Sequence, residues 1–157
     1  MALHGMDAGL GTSGVVVRGD GIVGCSAALA LARLGIAVEL QVSPLAVEAA
    51  TPDVRTYALN AASRALLQQI KVWSALPPQA VSPVLDMHIQ GDEGAQLEFS
   101  AWQQGAEALA WIVDAAALEA VLRQAVRYAP HVHVMQATPT SAGLGPHVDT
   151  RRLLLLC

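Results

Sequence analysis

Residues 14–42 read GVVVRGDGIVGCSAALALARLGIAVELQV, two apolar segments on either side of a glycine-rich turn. The three valines after Gly14 are typical of a strand that is covered on both faces in a parallel sheet. Residues 21–34 then repeat alanine, leucine and isoleucine at helical spacing, and Gly35 is suited to end the helix. A second strand is predicted at residues 36–42. A strand, a helix and a strand in so short a stretch indicate a parallel sheet, and hence the α/β class.

The turn itself matches the G-x-G-x-x-G fingerprint of dinucleotide-binding proteins, as GDGIVG at residues 19–24. Gly19 can make the tight turn, Gly21 lets the backbone approach a pyrophosphate, and Gly24 allows the helix to pack closely on the strand. Free amides and the helix dipole at this end stabilise a phosphate. The alternative is a glycine turn with a structural role only. The predicted cofactor-binding residues of this Rossmann-like unit are Gly19, Gly21, Ile22, Val23 and Gly24.

An acidic residue at the end of the second strand normally accepts hydrogen bonds from the ribose hydroxyls of the nucleotide. Val42 occupies that position here, and Glu39 points to the opposite face of the strand. Gln41 or Ser43 are the candidates to replace the acid. The sequence therefore predicts a pyrophosphate cradle that lacks its usual ribose ligand.

Beyond residue 42 the pattern predicts two more helices and several strands. Asn60 can cap a helix that carries Leu66, Leu67 and Ile70, and Asp114 can cap a longer helix with one apolar stripe. Apolar and polar residues alternate in two segments across a Gly-Asp-Glu-Gly turn, which predicts a hairpin at about residues 84–101. Further strands are predicted at residues 109–113 and 131–137.

Both ends of the chain differ from the rest. Residues 1–13 contain three glycines with no apolar period, which predicts a disordered leader before a domain at residues 14–157. The four consecutive leucines at residues 153–156 are typical of a core strand whose partners lie further along a longer protein. The chain is therefore predicted to be an N-terminal portion, truncated within its fold.

Composition excludes several classes of function. Nine basic against thirteen acidic residues give a net charge of −4, so no nucleic acid partner is expected. Two cysteines without ligand spacing argue against a disulfide framework and a zinc site, and no metal site is predicted. Cys25 is interpreted as a packing residue of the first helix. The sequence has no signal pattern and no span-length apolar run, which predicts a cytoplasmic protein with peripheral attachment to the inner membrane left open.

Three blocks of the chain resemble the FAD-dependent aromatic monooxygenases of the para-hydroxybenzoate hydroxylase fold, above all the ubiquinone-biosynthesis hydroxylases. They are VVVRGDGIVGCSAALALARLGIAVEL within the stretch quoted above, DVRTYALNAASRALLQQIKVWSAL with the following PVLDMHI, and ALAWIVDAAALEAVLRQAV. The pattern R-x-x-A-L-N-x-x-S from Arg55 to Ser63 and the W-I-V-D entry to the last helix are the more specific parts. Family members are about twice as long or more.

The resemblance implies a family reaction in which FAD, with NAD(P)H and O2, hydroxylates an electron-rich aromatic ring. It also implies that Arg55 approaches the FAD, and that the hairpin begins an antiparallel substrate-domain sheet. The apolar residues of that hairpin are then either core residues, the favoured role for most of them, or a wall of the substrate site. They are Met87, Ile89, Leu97 and Phe99.

Two other functions stay open at this point. The first block alone also fits an NAD(P)-dependent oxidoreductase, and the missing acid also fits a non-catalytic nucleotide-binding or assembly module. Apolar surface left by a missing half would favour a homo-oligomer or attachment to a hydroxylase complex. The catalytic residues are not identified by the sequence, and the isolated chain is expected to be inactive as a hydroxylase.

Overall fold

A computed structural model describes residues 14–43, 54–92, 94–136 and 153–157. The predicted leader at residues 1–13 lies outside these ranges. The described ranges include two single-turn 3-10 helices, Trp73–Ala75 and Pro78–Ala80. The other elements are β1 (Gly14–Arg18), α1 (Ile22–Arg33), β2 (Ala37–Val42), β3 (Thr56–Leu59), α2 (Ala61–Gln69), β4 (Val81–Val84), β5 (Asp86–Gln90), β6 (Gln96–Ser100), β7 (Ala110–Asp114), α3 (Ala115–Tyr128), β8 (Val132–Gln136) and β9 (Leu153–Leu156).

A parallel sheet in the order β8-β2-β1-β9 forms the centre of the molecule. The predicted strand, helix and strand of residues 14–42 are present, and Gly35 ends α1 with a φ of 77°. The predicted strand near residue 132 is β8, the neighbour of β2. The leucine run was expected to pair with strands further along the chain, but its neighbour among the described residues is β1, which precedes it.

The main core lies between this sheet and the helices α1 and α3. Val17 and Leu40 face each other across β1 and β2 and are almost fully buried. Leu118 and Leu122 of α3 are buried in the same cluster, together with Leu29 of α1. Burial of each large aliphatic side chain contributes about 2 kcal/mol, so this layer carries much of the stability of the fold.

A second, antiparallel sheet has the order β3-β7-β4. The strand predicted at residues 109–113 is β7, one residue later than expected. Trp111 on this strand is 5% exposed, and its ring meets that of Trp73 edge to face at 6.2 Å between centroids. The Arg64 guanidinium of α2 lies 4.4 Å from the centre of the Trp111 ring and binds the Glu107 carboxylate at 2.6 Å. Cation-π contacts thus hold α2 against the second sheet.

Both predicted helix caps are present. The Asn60 side chain accepts a hydrogen bond from the Ser63 amide at 2.9 Å, and Asp114 accepts one from the Ala117 amide at 2.8 Å. Each satisfies an amide that has no partner within its own helix. The end of β7 and the start of α3 are therefore fixed by one side chain, Asp114.

Replacing Asp114 by alanine is expected to lower the free energy of unfolding by about 1 kcal/mol, because the Ala117 amide loses its acceptor. Chemical denaturation followed by circular dichroism measures the change. Asn is an equally good cap, so Asp114→Asn should retain most of the stability. A loss as large in Asp114→Asn as in Asp114→Ala would show that the carboxylate acts through something other than the cap.

The predicted hairpin is formed by β5 and β6, which pair Met87 with Phe99 and Ile89 with Leu97. Between 37% and 53% of each of these four side chains is exposed. Core packing was the favoured role for most of them, and that prediction is wrong for the described residues. The hairpin makes no sheet contact with other described strands and presents its apolar face outward. A two-stranded hairpin is marginally stable alone, so a covering surface is expected.

Candidate nucleotide-binding site

The glycine turn lies at the carboxyl end of β1, between that strand and α1. The chain continues from β1 to β2 on one side, whereas the other neighbour of β1 is β9. Such a reversal of strand order leaves a crevice at the carboxyl ends of the strands, where ligands of open α/β sheets bind. The fingerprint residues thus lie at the edge of the sheet where ligands of open α/β sheets bind.

Two of the three fingerprint glycines are required by the fold itself. A Cβ at Gly24 would overlap the Gly19 carbonyl oxygen, so α1 approaches the turn more closely than any other residue permits. Gly19 has a φ of 120°, and a Cβ there would meet the Cys157 carbonyl oxygen at the end of β9. The Gly19 amide also donates to the Gln41 carbonyl oxygen at 3.0 Å. These contacts fix the turn against both neighbouring strands.

Gly21 is different, because no atom lies within 4 Å of the position that its Cβ would take. It is the N-cap of α1, and no side chain caps the helix there. The first amides of a helix have no partner within the helix, and the amides of Ile22 and Val23 belong to this group. An uncapped helix start beside open space fits the pyrophosphate of a dinucleotide, which would supply the missing acceptors.

The end of β2 carries no acid. The side chain of Gln41 has two hydrogen-bond partners. Its Oε1 accepts a hydrogen bond from Arg18 Nε at 3.1 Å, and its Nε2 donates to Glu39 Oε1 at 2.9 Å. These three polar side chains form a chain across β1 and β2. The side chains of Gln41 and Arg18 therefore bind each other. Val42 and Ser43 lie at the end of the strand, where the acid that binds the ribose usually stands.

A cleft of about 330 Å³ opens at the end of β2, and we call it the strand-end cleft. It lies between the start of α1, β2, β8 and the C-terminal half of α3. Asp20 is its acidic residue, and Arg123 and Arg127 of α3 are its basic ones. The lining residues are Asp20, Cys25, Leu40, Val42, Ser43, Arg123, Val126, Arg127 and Val134.

The sequence pattern alone did not single out Arg123 and Arg127 of α3 as residues beside the glycine turn. Their spacing of four residues puts both on one side of α3, and Val126 of the apolar stripe lies next to them. That spacing was the available signal. The packing of α3 against α1 and β8 was needed to show which cleft the two side chains enter.

Cys25 ends the first turn of α1 and is 2% exposed. Its Sγ donates to the Asp20 carbonyl oxygen at 3.3 Å. Burial, followed by the nearby Asp20 carboxylate, raises the pKa of this thiol to about 11. The thiol is therefore neutral at physiological pH, and its interpretation as a packing residue fits the structure.

The raised pKa of Cys25 predicts a loss of stability at alkaline pH. The folded state holds the thiol proton up to about pH 11, whereas the unfolded thiol releases it near 9.0. This contribution is complete below pH 9 and is lost as the pH rises to about 11. Denaturation at pH 8 and pH 10.5 should show a larger decrease for the wild type than for Cys25→Ala. Equal decreases would contradict a raised pKa.

Arg55 lies just before β3 in the second sheet, and its side chain is exposed. Its carbonyl oxygen accepts a hydrogen bond from the Ala115 amide at 3.0 Å, which joins it to the start of α3. Arg55 is not among the residues that line the strand-end cleft. A role in cofactor binding remains a prediction for this residue.

Within the described ranges, no group of three or more His, Cys, Asp or Glu side chains is placed to hold a metal ion. The alternation of apolar and polar residues at 131–137 predicts that His131 and His133 share a strand face. His131 instead precedes β8, with a φ of 70°, and only His133 belongs to the strand.

Comparison with known proteins finds a relative in sequence and similar folds among solved structures. No family model matches the sequence. The chain is 30% identical over 145 residues to 3-demethoxyubiquinol 3-hydroxylase from Escherichia coli strain K12. The aligned region covers 90% of this chain and 37% of the hydroxylase. The chain thus spans little more than a third of that relative.

The solved structures with the same fold are also longer proteins. The p-nitrophenol 4-monooxygenase from Pseudomonas putida superposes with a TM-score of 0.59 at 20% identity, covering 79% of this chain and 31% of that enzyme. A probable FAD-dependent monooxygenase from Pseudomonas aeruginosa gives 0.59 at 17% identity, with 79% and 32% covered. The α/β fold class and the resemblance to part of the FAD-dependent aromatic monooxygenases are thereby confirmed.

Proposed function

We propose that this chain is the dinucleotide-binding portion of an FAD-dependent monooxygenase that hydroxylates an aromatic, ubiquinone-precursor-like substrate with NAD(P)H and O2. The observation that carries the proposal is the uncapped start of α1 at Gly21, which opens to free space at the point where the strand order reverses. The sequence relationship to a ubiquinol hydroxylase supports the choice of reaction.

In this proposal the backbone of the glycine turn holds the pyrophosphate of FAD. The amides of Ile22 and Val23 donate to its oxygens, while Gly19 and Gly24 keep the turn and the helix in place. Arg55 is the proposed side-chain contact from the second sheet, since a guanidinium pairs well with phosphate. Bound FAD would supply the redox chemistry, and the chain's own residues bind and orient it.

We expect the chain alone to bind the dinucleotide without hydroxylating a substrate. It matches 37% of the related hydroxylase, so most of that enzyme has no counterpart here. The apolar face of the β5–β6 hairpin then serves as part of a substrate wall or of a contact with another chain. Its four exposed side chains also support association with a second copy.

Localisation is proposed from the same observations. Both cysteines are free thiols, which suits a reducing cytoplasm. Within the described ranges, no helix has the length and apolarity needed to cross a membrane. The exposed apolar face of the β5–β6 hairpin is the surface that we propose for peripheral attachment to the inner membrane.

Titration of the purified chain with FAD tests the proposal directly. Flavin fluorescence quenching and the melting temperature are followed together, with NAD and ADP as controls. Saturable quenching with a rise in melting temperature, and weaker binding of NAD, is the expected result. Binding of NAD but not FAD would favour a nicotinamide-dependent oxidoreductase. No binding of any dinucleotide would contradict a functional cofactor domain.

A further inference from the structure

We infer that the tip of the β5–β6 hairpin of one copy docks into a groove at the helix ends of a second copy of this chain. The hairpin tip consists of Ile89 and Leu97, which pair across β5 and β6, and of Asp92 in the turn. The helix-end groove lies where the last turn of α1 meets the ends of α2 and α3. The two surfaces are different parts of the same chain, so the contact is head to tail.

The helix-end groove is apolar, and no acidic side chain lines it. Its volume is about 240 Å³, below the roughly 300 Å³ at which sites for small molecules begin. A groove of this size has room for one or two large apolar side chains, which fits a protein partner better than a separate ligand. The apolar lining residues are Leu29, Ala32, Ile70, Ala125, Ala129 and Pro130.

The hairpin tip offers side chains of that kind. Ile89 is 47% exposed and Leu97 is 53% exposed, and the two form an apolar pair beside the turn. Neither strand of the hairpin pairs with any other strand of the described ranges. A two-stranded hairpin is marginally stable alone, so burial of this pair against a second surface also stabilises the hairpin itself.

The charges of the two surfaces are complementary. Residues 72–122 contain seven Asp or Glu and no Lys or Arg, and Asp92 in the hairpin turn is exposed. Arg33 lines the groove, and Lys71 directly follows Ile70. Both cations are exposed, and neither has an ion pair among the residues that the structure describes. Opposite charges beside an apolar contact steer the tip to the groove and fix its register there.

The same charges favour the groove over a second hairpin as the partner. Two hairpin tips packed against each other bring the acidic groups of both copies together, and such like-charge contacts are unfavourable. A head-to-tail pair leaves the hairpin face of one copy free, so the proposed attachment to a membrane is compatible with it. The inference concerns assembly and goes beyond the proposed function, because it does not depend on a bound dinucleotide.

Sedimentation velocity of the full chain over a range of concentrations tests the inference. The contact is smaller than a standard interface, so a dissociation constant on the order of 10 µM is expected. The chain should be a monomer at about 1 µM and form dimers and larger species at about 100 µM, because each head-to-tail pair leaves one tip and one groove open. A monomer at every concentration would overturn the inference.

Two charge reversals show whether the tip meets the groove. Arg33→Glu and Asp92→Arg should each weaken self-association about tenfold, because like charges then face each other. An equimolar mixture of the two variants should associate as the wild type does, since the unchanged tip of one fits the unchanged groove of the other. The double variant Arg33→Glu/Asp92→Arg should also regain association. Wild-type association of Arg33→Glu alone, or no recovery in the mixture, would contradict a head-to-tail contact.

Asp86→Arg is the matched control for Asp92→Arg. It makes the same charge change at the other end of β5, about 20 Å from the tip at the usual rise of a strand. Its self-association should equal that of the wild type. An equal loss in both variants would reveal a general effect of net charge and overturn docking through the tip.

FAD titration of the same samples separates this inference from the proposed function. The charge reversals leave the glycine turn unchanged, so the affinity for FAD should stay at its wild-type value in all of them. FAD binding without self-association would leave the proposed function standing and overturn this inference. Association that the mixture restores, without FAD binding, would have the reverse meaning.

Discussion

Replacing Gly24 by alanine is expected to destabilise the folded chain by about 2 kcal/mol. Within a helix the same change usually stabilises by about 1 kcal/mol, because alanine has the higher helix propensity. Here the new Cβ would overlap the Gly19 carbonyl oxygen, a backbone atom. Overpacking of this kind costs about 3 kcal/mol, which exceeds the gain in helix propensity.

The Gly19 carbonyl cannot move aside easily. The amide of Gly19 is bound to the Gln41 carbonyl oxygen, and the Cys157 carbonyl oxygen lies where a Cβ of Gly19 would be. Relief of the overlap must therefore move α1 away from β1 or distort the turn. Equilibrium denaturation measures the loss, and any shift of α1 should also weaken nucleotide binding.

Gly21→Ala is the matched control, since nothing lies within 4 Å of its Cβ position. Its backbone, with a φ of −73°, is accessible to alanine. We expect it to lose at most about 1 kcal/mol, the usual cost of alanine at an N-cap. A Gly24→Ala variant as stable as the wild type would contradict the close approach of α1 to the glycine turn.

The parts of the fold that the sequence predicted are those controlled by neighbouring residues. The valines after Gly14, the helical run and Gly35 each act within a few residues, and the structure has the corresponding elements in place. Asn60 and Asp114 cap their helices through amides three residues away. Short-range hydrogen bonds and backbone preferences do not depend on the rest of the fold, so a sequence pattern is enough to find them.

Features that depend on distant segments were not predictable in the same way. The pairing of Leu153–Leu156 with β1 brings together residues from the two ends of the described chain. The exposure of Phe99 and its neighbours depends on what covers the hairpin, which alternation alone cannot show. Arg127 became a candidate site residue only when the packing of α3 placed it in the strand-end cleft.

Replacing Gly21 by valine is expected to abolish FAD binding with little loss of stability. The side chain would project into the open space beside the start of α1, where the proposed pyrophosphate lies. Loss of two charge-assisted hydrogen bonds from backbone amides costs about 4 kcal/mol, which corresponds to roughly a thousandfold weaker binding. Fluorescence titration with FAD measures the change.

The melting temperature of Gly21→Val in the absence of ligand is the control, because it shows whether a loss of FAD binding comes from a loss of folding. No atom lies within 4 Å of the position that a Cβ at Gly21 would take, so the unliganded variant should lose no more than about 1 kcal/mol, the usual cost of an apolar N-cap residue. Gly24→Ala should instead lower the melting temperature. The two variants would thus separate two requirements of the turn. Gly24 allows α1 to pack closely on the turn, whereas Gly21 leaves room for the ligand. Wild-type affinity for FAD in a folded Gly21→Val chain would place the dinucleotide elsewhere on the molecule.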